Sequence, residues 1–376
     1  MDLRHIPAID HHAHNLLKPE EIGAEVFSRA FTESDDPVIL AGHARNSLFY
    51  RRGIRNIASL LGCDATEEAI LGSREELGME KLAAKCFENA GLSTVFLDDG
   101  FMPGRVLPWE WHQRFVPVRR VLRIEYLAET LIDLEDDFGA FLDRFRGRID
   151  PPSPEVVALK SIAAYRTGLR IEQTPMEAAR SCFTSLKHRS PSPEGRTRLA
   201  EKPLIDFLIV QALDVSAKNG IPLQFHTGLG DPDMDLRLGN PLHLRPLLEE
   251  PRWRKASIVL LHGSYPFVRE AGYLASVYPQ VYLDMGLAVP LLSVSGMRAV
   301  VAQLLELAPV TKLMFSSDAR MIPEMFYLGA KWGREVLADV LVGAVEDSDL
   351  SAREADSAAE AILRANAETL YFDESP

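Results

Sequence analysis

Cysteine is scarce in this chain, with three residues among 376. Cys63, Cys86 and Cys182 are odd in number and far apart, which suits reduced thiols better than a disulfide framework. The same spacing argues against a zinc site built from cysteines, because such sites bring thiolates together at short intervals. Cys86 lies beside apolar neighbours, and we expect it to be buried.

Long apolar runs and an excess of positive charge are also lacking. No stretch approaches the ~20 apolar residues of a membrane span, and residues 1–16 lack the basic-then-apolar order of a signal peptide. The net charge of −13 argues against a nucleic-acid or membrane partner, because both favour a basic protein face. We therefore expect a cytoplasmic protein that acts on a small-molecule substrate. The sequence leaves open whether it forms a homo-oligomer.

Glycine-rich nucleotide-binding loops are absent, which disfavours a nucleotide-binding sheet. The chain instead has eight short, apolar, β-branched runs that end in polar residues, with helical spacing between most of them. These runs cover 6–10, 93–97, 116–124, 156–161, 222–225, 257–261, 281–284 and 312–316. Strands joined by helical crossovers imply a parallel sheet, and eight such units predict an α/β fold of the (β/α)8 TIM-barrel type.

Two connections between predicted strands are longer than those of a minimal barrel. Residues 16–91 are far longer than the usual βα loop of about 2 to 6 residues, so they predict a helical insertion after strand 1. Residues 166–203 are rich in proline, serine and, around 187–198, basic residues, which predicts an exposed excursion. Alanine-rich spacing at about 335–371 predicts a C-terminal helical tail outside the barrel. We expect residues 1–376 to form a single barrel domain.

Polar residues at the ends of seven of the eight predicted strands are candidates for the site. The first strand leads into Asp10-His11-His12-Ala13-His14, where side chains two apart project to the same side and let His12 and His14 converge on one ion. The later strands are followed by Arg123 and Glu125, Lys160, His226, His262, Asp284 and Asp318. Because active sites of such barrels lie at the C-terminal mouth, four imidazoles and an acid there predict a divalent-metal site.

These residue types suit metal-assisted hydrolysis. A divalent ion held by imidazoles and a carboxylate lowers the pKa of bound water from about 15.7 towards ~7. Asp318 could contact the ion and carry the proton of the water to a leaving amine, and His262 could polarise a carbonyl or stabilise an oxyanion. Lys160 has two interpretations. Carboxylated, it would bridge two ions; unmodified, it would bind a substrate carboxylate.

Several residues near the predicted mouth are candidate substrate contacts. Arg123, Arg166 and Arg237 carry planar guanidinium groups, which are suited to holding a carboxylate, although surface arginines also commonly pair with nearby acids. Glu125 and Tyr165 complete this set.

The motifs together resemble the amidohydrolase superfamily over nearly the whole chain. The segments 160–166, 226–233 and 97–100 are more narrowly similar to its amidohydrolase-related branch (amidohydrolase 2), whose barrel is fused to glutamine-synthetase-like domains in some plants and fungi. The resemblance implies one or two divalent ions, with zinc expected first. The implied ligands are His12, His14, His226 and Asp318, with Lys160 if carboxylated and His262 if the site is binuclear.

By analogy with that branch, the expected reaction is hydrolysis of a C–N bond, such as that of a γ-glutamyl amide. Decarboxylation of an aromatic or enoic acid is an alternative that needs no carboxylated lysine, so Lys160 discriminates between the two. Isomerisation of a sugar acid ranks lower. An inactive metal-binding scaffold is the alternative of another class.

Overall fold

The structure, a computed structural model, describes residues 1–188 and 197–372. Eight parallel strands pair in chain order. They are β1 (Ala8–His14), β2 (Leu92–Asp98), β3 (Val118–Arg123), β4 (Val156–Ser161), β5 (Leu223–Phe225), β6 (Ile258–Leu260), β7 (Val281–Asp284) and β8 (Leu313–Met314). Backbone hydrogen bonds join β1 to the chain after β8, from His14 N to Ala319 O at 2.8 Å and from Asp318 N to His12 O at 3.0 Å. The predicted (β/α)8 barrel is confirmed.

Helices lie between consecutive strands and after the last one. The helices are α1 (Ala24–Arg29), α2 (Leu48–Leu61), α3 (Glu67–Ala90), α4 (Trp109–His112), α5 (Ile124–Leu134), α6 (Phe138–Ile149), α7 (Ala163–Arg166), α8 (Met176–Lys187), α9 (Lys202–Asn219), α10 (Arg245–Leu248), α11 (Val268–Val277), α12 (Ala288–Leu291), α13 (Val294–Leu305), α14 (Glu324–Glu346), α15 (Ala352–Glu360) and α16 (Asn366–Tyr371). Short 3-10 turns and two π-helical segments complete the chain. In the part of the chain that the structure describes, no helix is long and apolar enough to cross a membrane.

The segment between β1 and β2 contains α1, α2 and α3, which confirms the predicted helical insertion. Thr66 caps α3 by accepting a hydrogen bond from the backbone of Ala69, and the helix ends at Gly91 in the left-handed conformation. The helix is fastened to α14 by a buried ion pair between Arg74 and Glu324. Cys86 is fully buried in α3, as expected.

The second long segment differs from the exposed excursion that its composition predicts. Much of it forms α8, in which Ala179, Phe183 and Leu186 are buried on one face. The Phe183 ring packs 5.0 Å from that of Phe141 in α6. Because these apolar residues recur at helical spacing, the segment packs as a helix although the residues around them are polar. The most proline- and serine-rich part, residues 189–196, lies outside the described residues.

Side chains of the strands and of the C-terminal helix α16 together fill the interior of the barrel. Apolar side chains from six strands, including Ile9, Phe96 and Val121, form a cluster that also includes Ala367 and Tyr371 of α16. The Tyr371 ring lies 5.0 Å from that of Phe96, edge to face. The tail was predicted to pack on the outside, but Tyr371, its last helical residue, joins the apolar cluster inside the barrel.

Candidate metal centre

Two histidines of β1 turn towards the aspartate that follows β8. The Nε2 atoms of His12 and His14 lie 3.4 Å and 3.3 Å from Oδ1 of Asp318. All three side chains are buried. The hydrogen bond from Asp318 N to His12 O holds the two elements in register at this point. The structure therefore brings three of the predicted ligands together.

The other ring nitrogen, Nδ1, of each histidine forms a hydrogen bond on the side away from Asp318. Nδ1 of His14 lies 3.1 Å from the backbone oxygen of Asp98, which can only accept a hydrogen bond. Nδ1 of His14 therefore carries the proton, and Nε2 keeps its lone pair towards Asp318. Nδ1 of His12 lies 2.9 Å from Oε1 of Gln224 in β5. Such partners orient ligand histidines in metal sites.

Asp318 is the buried anion of the centre. Its backbone is left-handed, with φ of 51°, a conformation that is uncommon outside glycine and recurs at functional sites. Burial alone would raise the pKa of Asp318, but His262, His12 and His14 outweigh it and hold the pKa well below its usual range. Oδ1 has no hydrogen-bond partner among the described residues. Nη1 of Arg320 lies 3.6 Å from Oδ2 of Asp318, so a cation already faces that oxygen, whereas Oδ1 faces the rings of His12 and His14. A buried carboxylate oxygen is costly to leave unpaired, so the Oδ1 side of Asp318 fits a divalent ion.

The ring of His226 lies 4.4 Å from that of His262, which in turn lies 5.7 Å from that of His12. Nε2 of His226 donates to the backbone oxygen of Leu229 at 2.9 Å, which leaves Nδ1 as the lone-pair nitrogen. Burial lowers the pKa of both rings well below the ordinary histidine value, and Lys160 adds to this at His226. Neutral imidazole is the form that binds metals.

Lys160 lies at the base of the centre and is 1% exposed. Its Nζ is 3.1 Å from Nε2 of His12. Burial lowers the pKa of Lys160 to about 8, and Arg123 adds to this effect while Asp98 opposes it.

Two compact ligand sets share His12. Among the described residues, one ligand atom from each of His12, His262 and Asp318 lies within 4.8 Å of the others, and the same holds for His12, His14 and Asp98. Histidine nitrogens and carboxylate oxygens are the ordinary ligands of zinc and related ions. The donor set can therefore hold a divalent metal, and two adjacent sets leave room for either one ion or two.

A cavity of about 210 Å³ opens onto this centre. The predicted site residues that line it are His14, Arg123, Lys160, Tyr165, Arg166, His226, His262 and Asp318. Residues of the helical insertion, including Glu33, form another wall. Glu33 forms an ion pair with Arg320, two residues after Asp318, so the insertion is tied directly to the mouth of the barrel.

Arg123 and Arg166 reach the cavity but are partly engaged by acids. Arg123 donates from Nε and Nη2 to Oδ2 of Asp98, at 3.0 Å and 2.6 Å. Arg166 makes a longer contact of 3.4 Å with Glu129, and its buried Nε has no hydrogen-bond partner within the described ranges. Arg166 is therefore the arginine better placed to receive a substrate carboxylate.

Tyr165 stands over the histidines, with its ring 4.3 Å from that of His226. It is closely packed against the backbone of Gly230, where a Cβ atom would collide with the phenol. Burial raises the pKa of Tyr165 well above its usual value, and Glu33 and Asp231 add to the effect. The hydroxyl is therefore protonated and can donate a hydrogen bond.

Two predicted substrate contacts lie elsewhere. Oε1 of Glu125 accepts hydrogen bonds from Ser161 Oγ at 2.7 Å and from Ile162 N at 3.0 Å, so this carboxylate supports the end of β4 outside the cavity. Arg237 is 89% exposed and pairs with Asp235 in the loop after β5. Neither residue lines the cavity, and a role of either one in binding the substrate stays a prediction.

Three residues of the site were missed from the sequence. Asp98 ends β2 and could have been identified by the strand-end rule that found the other ligands. Gln224 lies inside β5, where a lone polar residue in an apolar run was its only signal. Glu33 lies in the long insertion, and nothing in its local sequence connects it with the barrel mouth.

A solved structure from Lactobacillus casei ATCC 334, provisionally named a metal-dependent hydrolase, is similar to this protein along almost its whole length. The two share 31% identity with a TM-score of 0.86, over 98% of this chain and 96% of that chain. Residues 187–372 also match the family described as Amidohydrolase. This chain belongs to the amidohydrolase family. The resemblance stated from the sequence motifs is confirmed.

Two further proteins are similar to this amidohydrolase, one in sequence and one in fold. Protein fluG of Emericella nidulans is 32% identical to it, and the match covers 100% of this chain and 47% of fluG. The chain thus spans about half the length of this curated relative. A uronate isomerase of Thermotoga maritima shares the fold, with a TM-score of 0.66 at 14% identity over 98% of this chain and 95% of that chain.

Proposed function

We propose that this amidohydrolase is a divalent-metal-dependent hydrolase that cleaves an amide-type C–N bond in a small, carboxylate-bearing substrate. The observation that carries the proposal is the buried Oδ1 of Asp318, which lacks a hydrogen-bond partner among the described residues and faces Nε2 of His12 and His14. We propose Zn²⁺ as the ion, held by His12, His14, His226 and Asp318, because this ion favours nitrogen ligands completed by a carboxylate.

The chain supplies the proton transfers that amide hydrolysis needs. When bound, the ion would supply a polarised water molecule and a polarised substrate carbonyl. Asp318 accepts the proton of the attacking water and returns it to the leaving amine, so the amine departs uncharged. His262 donates from its neutral ring to the carbonyl oxygen as negative charge develops there. The hydrogen bond from its backbone N to Asp284 keeps His262 in place.

The charges around the cavity favour a substrate that carries an amino-acid head group. Arg166 supplies positive charge for a carboxylate, whereas Asp231 supplies negative charge that suits an ammonium group. The cavity volume of about 210 Å³ limits the substrate to a small molecule. γ-Glutamyl amides meet these conditions, and the analogy with barrels fused to glutamine-synthetase-like domains supports the same class.

The test is a substrate screen of the zinc-loaded full chain together with Asp318→Asn. γ-Glutamyl amides, other amino-acid amides and aromatic carboxylic acids are incubated with each protein, and released amine and CO₂ are measured. We expect amine release from a γ-glutamyl amide, and a loss of about 10²-fold or more in kcat for Asp318→Asn, because general acid–base groups contribute about 10²–10⁴-fold.

Asp339→Asn is the matched control, since Asp339 pairs with Arg298 on the surface far from the cavity. It should keep full activity. Equal amide hydrolysis by Asp318→Asn and wild type would contradict the proposal, as would CO₂ release in the absence of any amide hydrolysis.

A further inference from the structure

Gln224 is a fully buried glutamine in the middle of β5, and no step of the proposed reaction uses it. Its side chain lies inside the barrel between the metal centre and the C-terminal helix. Nε2 is 3.0 Å from the backbone oxygen of His11 and 3.0 Å from the hydroxyl of Tyr371, while Oε1 is 2.9 Å from Nδ1 of His12. Each polar end of the amide thus has a partner.

These contacts determine which end of the amide is which. A backbone oxygen can only accept, so the amide atom beside His11 O must be the NH₂ group. The opposite end is then the amide oxygen, which also can only accept. Nδ1 of His12 must therefore carry the proton, and its Nε2 presents a lone pair to the metal centre.

Tyr371 of α16 fixes the same amide from the other side. Its hydroxyl oxygen accepts from Gln224 Nε2, and its own proton is directed to Nδ1 of His11 at 3.1 Å. Nε2 of His11 then carries a proton that faces the carboxylate of Asp284 at 3.5 Å. From His12 to Nδ1 of His11 every donor in this series meets an acceptor, so the hydrogen bonds run in one direction along this path. Nε2 of His11 faces Asp284 without forming a hydrogen bond.

We propose that Gln224 and Tyr371 are positioning residues for the metal site. They hold His12 in the tautomer that can bind an ion through Nε2, and they make metal affinity depend on the C-terminal helix. Tyr371 is buried beneath His11, so its effect on the metal acts through Gln224 and does not involve the substrate. The inference rests on the proposed function in one respect, that His12 is a metal ligand.

The test measures Zn²⁺ affinity of the metal-free full chain by competition with a chromogenic chelator, without any substrate. Outer partners of ligand histidines typically contribute about 10–100-fold to metal affinity, and we expect a loss of that size for Gln224→Leu. Gln224→Glu keeps an acceptor for His12 and should lose less. Tyr371→Phe should weaken binding by about threefold to tenfold, because Gln224 keeps its contact with His11 O.

The matched controls are Gln280→Leu and Tyr282→Phe. Gln280 is a buried glutamine whose Nε2 donates to Leu248 O, and Tyr282 is a half-buried tyrosine of β7 outside the path. Both should bind Zn²⁺ as the wild type does. ¹⁵N spectra of histidine-labelled, metal-free protein report the tautomer directly, and the His12 signal should change in Gln224→Leu and Tyr371→Phe only.

Equal Zn²⁺ affinity in Gln224→Leu and Gln280→Leu would overturn the inference while leaving the proposed function intact. If Gln224→Leu does not fold, Tyr371→Phe decides the matter, and an unchanged affinity with an unchanged His12 tautomer would again overturn it. A wild-type chain that binds no Zn²⁺ would overturn both proposals.

Discussion

Nζ of Lys160 lies 3.1 Å from Nε2 of His12, with both side chains buried at the base of the site. A lysine cation in this place would repel an ion held by His12. A lysine carboxylated on Nζ would instead offer an oxygen anion to the same ion, or to two ions. The two states of Lys160 therefore have opposite effects on metal binding.

We expect Lys160→Ala to lower the metal content of protein purified with bicarbonate and without chelator. Wild type should contain two equivalents of metal per chain and the variant one or none, because the bridging anion is lost. Elemental analysis of both proteins measures this. One equivalent in each would show a single ion with Lys160 free to bind the substrate, and decarboxylation would then rank beside hydrolysis.

Gly230→Ala should reduce activity with little effect on stability. The new Cβ would collide with the phenol of Tyr165, which must move away from His226. We expect kcat/KM to fall by about tenfold or more, since misplacing a group at an active site by ~1 Å can cost 10²-fold.

The double variant Tyr165→Ala with Gly230→Ala checks this explanation. Once the phenol is gone, the alanine should add no further loss beyond that of Tyr165→Ala alone. Gly72→Ala, where a Cβ meets open space, is the control. Additive losses in the double variant would mean that Gly230 acts through something other than Tyr165.

His112 should make the protein acid-sensitive. It is buried, and its Nε2 accepts a hydrogen bond from the backbone of Leu16 at 3.1 Å. Burial lowers the pKa of His112 from 6.5 to about 4. Above pH 6.5 the ring is neutral in folded and unfolded chains alike. As the pH falls from 6.5 to about 4, the unfolded chain takes up the proton first, so stability declines.

The predicted loss from this group is roughly 3 kcal/mol at pH 4. Urea unfolding of metal-free wild type and His112→Gln measures it, because glutamine can still accept from Leu16 without taking up a proton. The wild type should lose more stability than His112→Gln over this pH range. His43→Gln, at an exposed position, should follow the wild type. Parallel pH profiles for wild type and His112→Gln would rule out this role.

Much of the fold follows from local pattern. Apolar runs that end in polar residues predicted eight strands, and the same rule found His12, His14, His226, His262 and Asp318 before their positions were known. The rule works because parallel strands of a barrel all end at one mouth. The rule also selected Glu125, whose carboxylate accepts hydrogen bonds at the end of β4 and does not line the cavity, since the direction of a side chain past a strand end depends on the local turn.

The sequence by itself determined the barrel, because the periodicities of strands and helices are local properties. It also determined the kinds of ligand at the barrel mouth, because the order of residues along one strand is local too. Only the tertiary structure decided which nitrogen of His12 faces the candidate metal centre, since Gln224 and Tyr371 are 147 residues apart and meet only inside the closed barrel. It also decided that Glu33 reaches Arg320, because a long insertion has no periodic signal for where it packs. Contacts of this range depend on the closure of the sheet and on the burial of polar groups that must find partners.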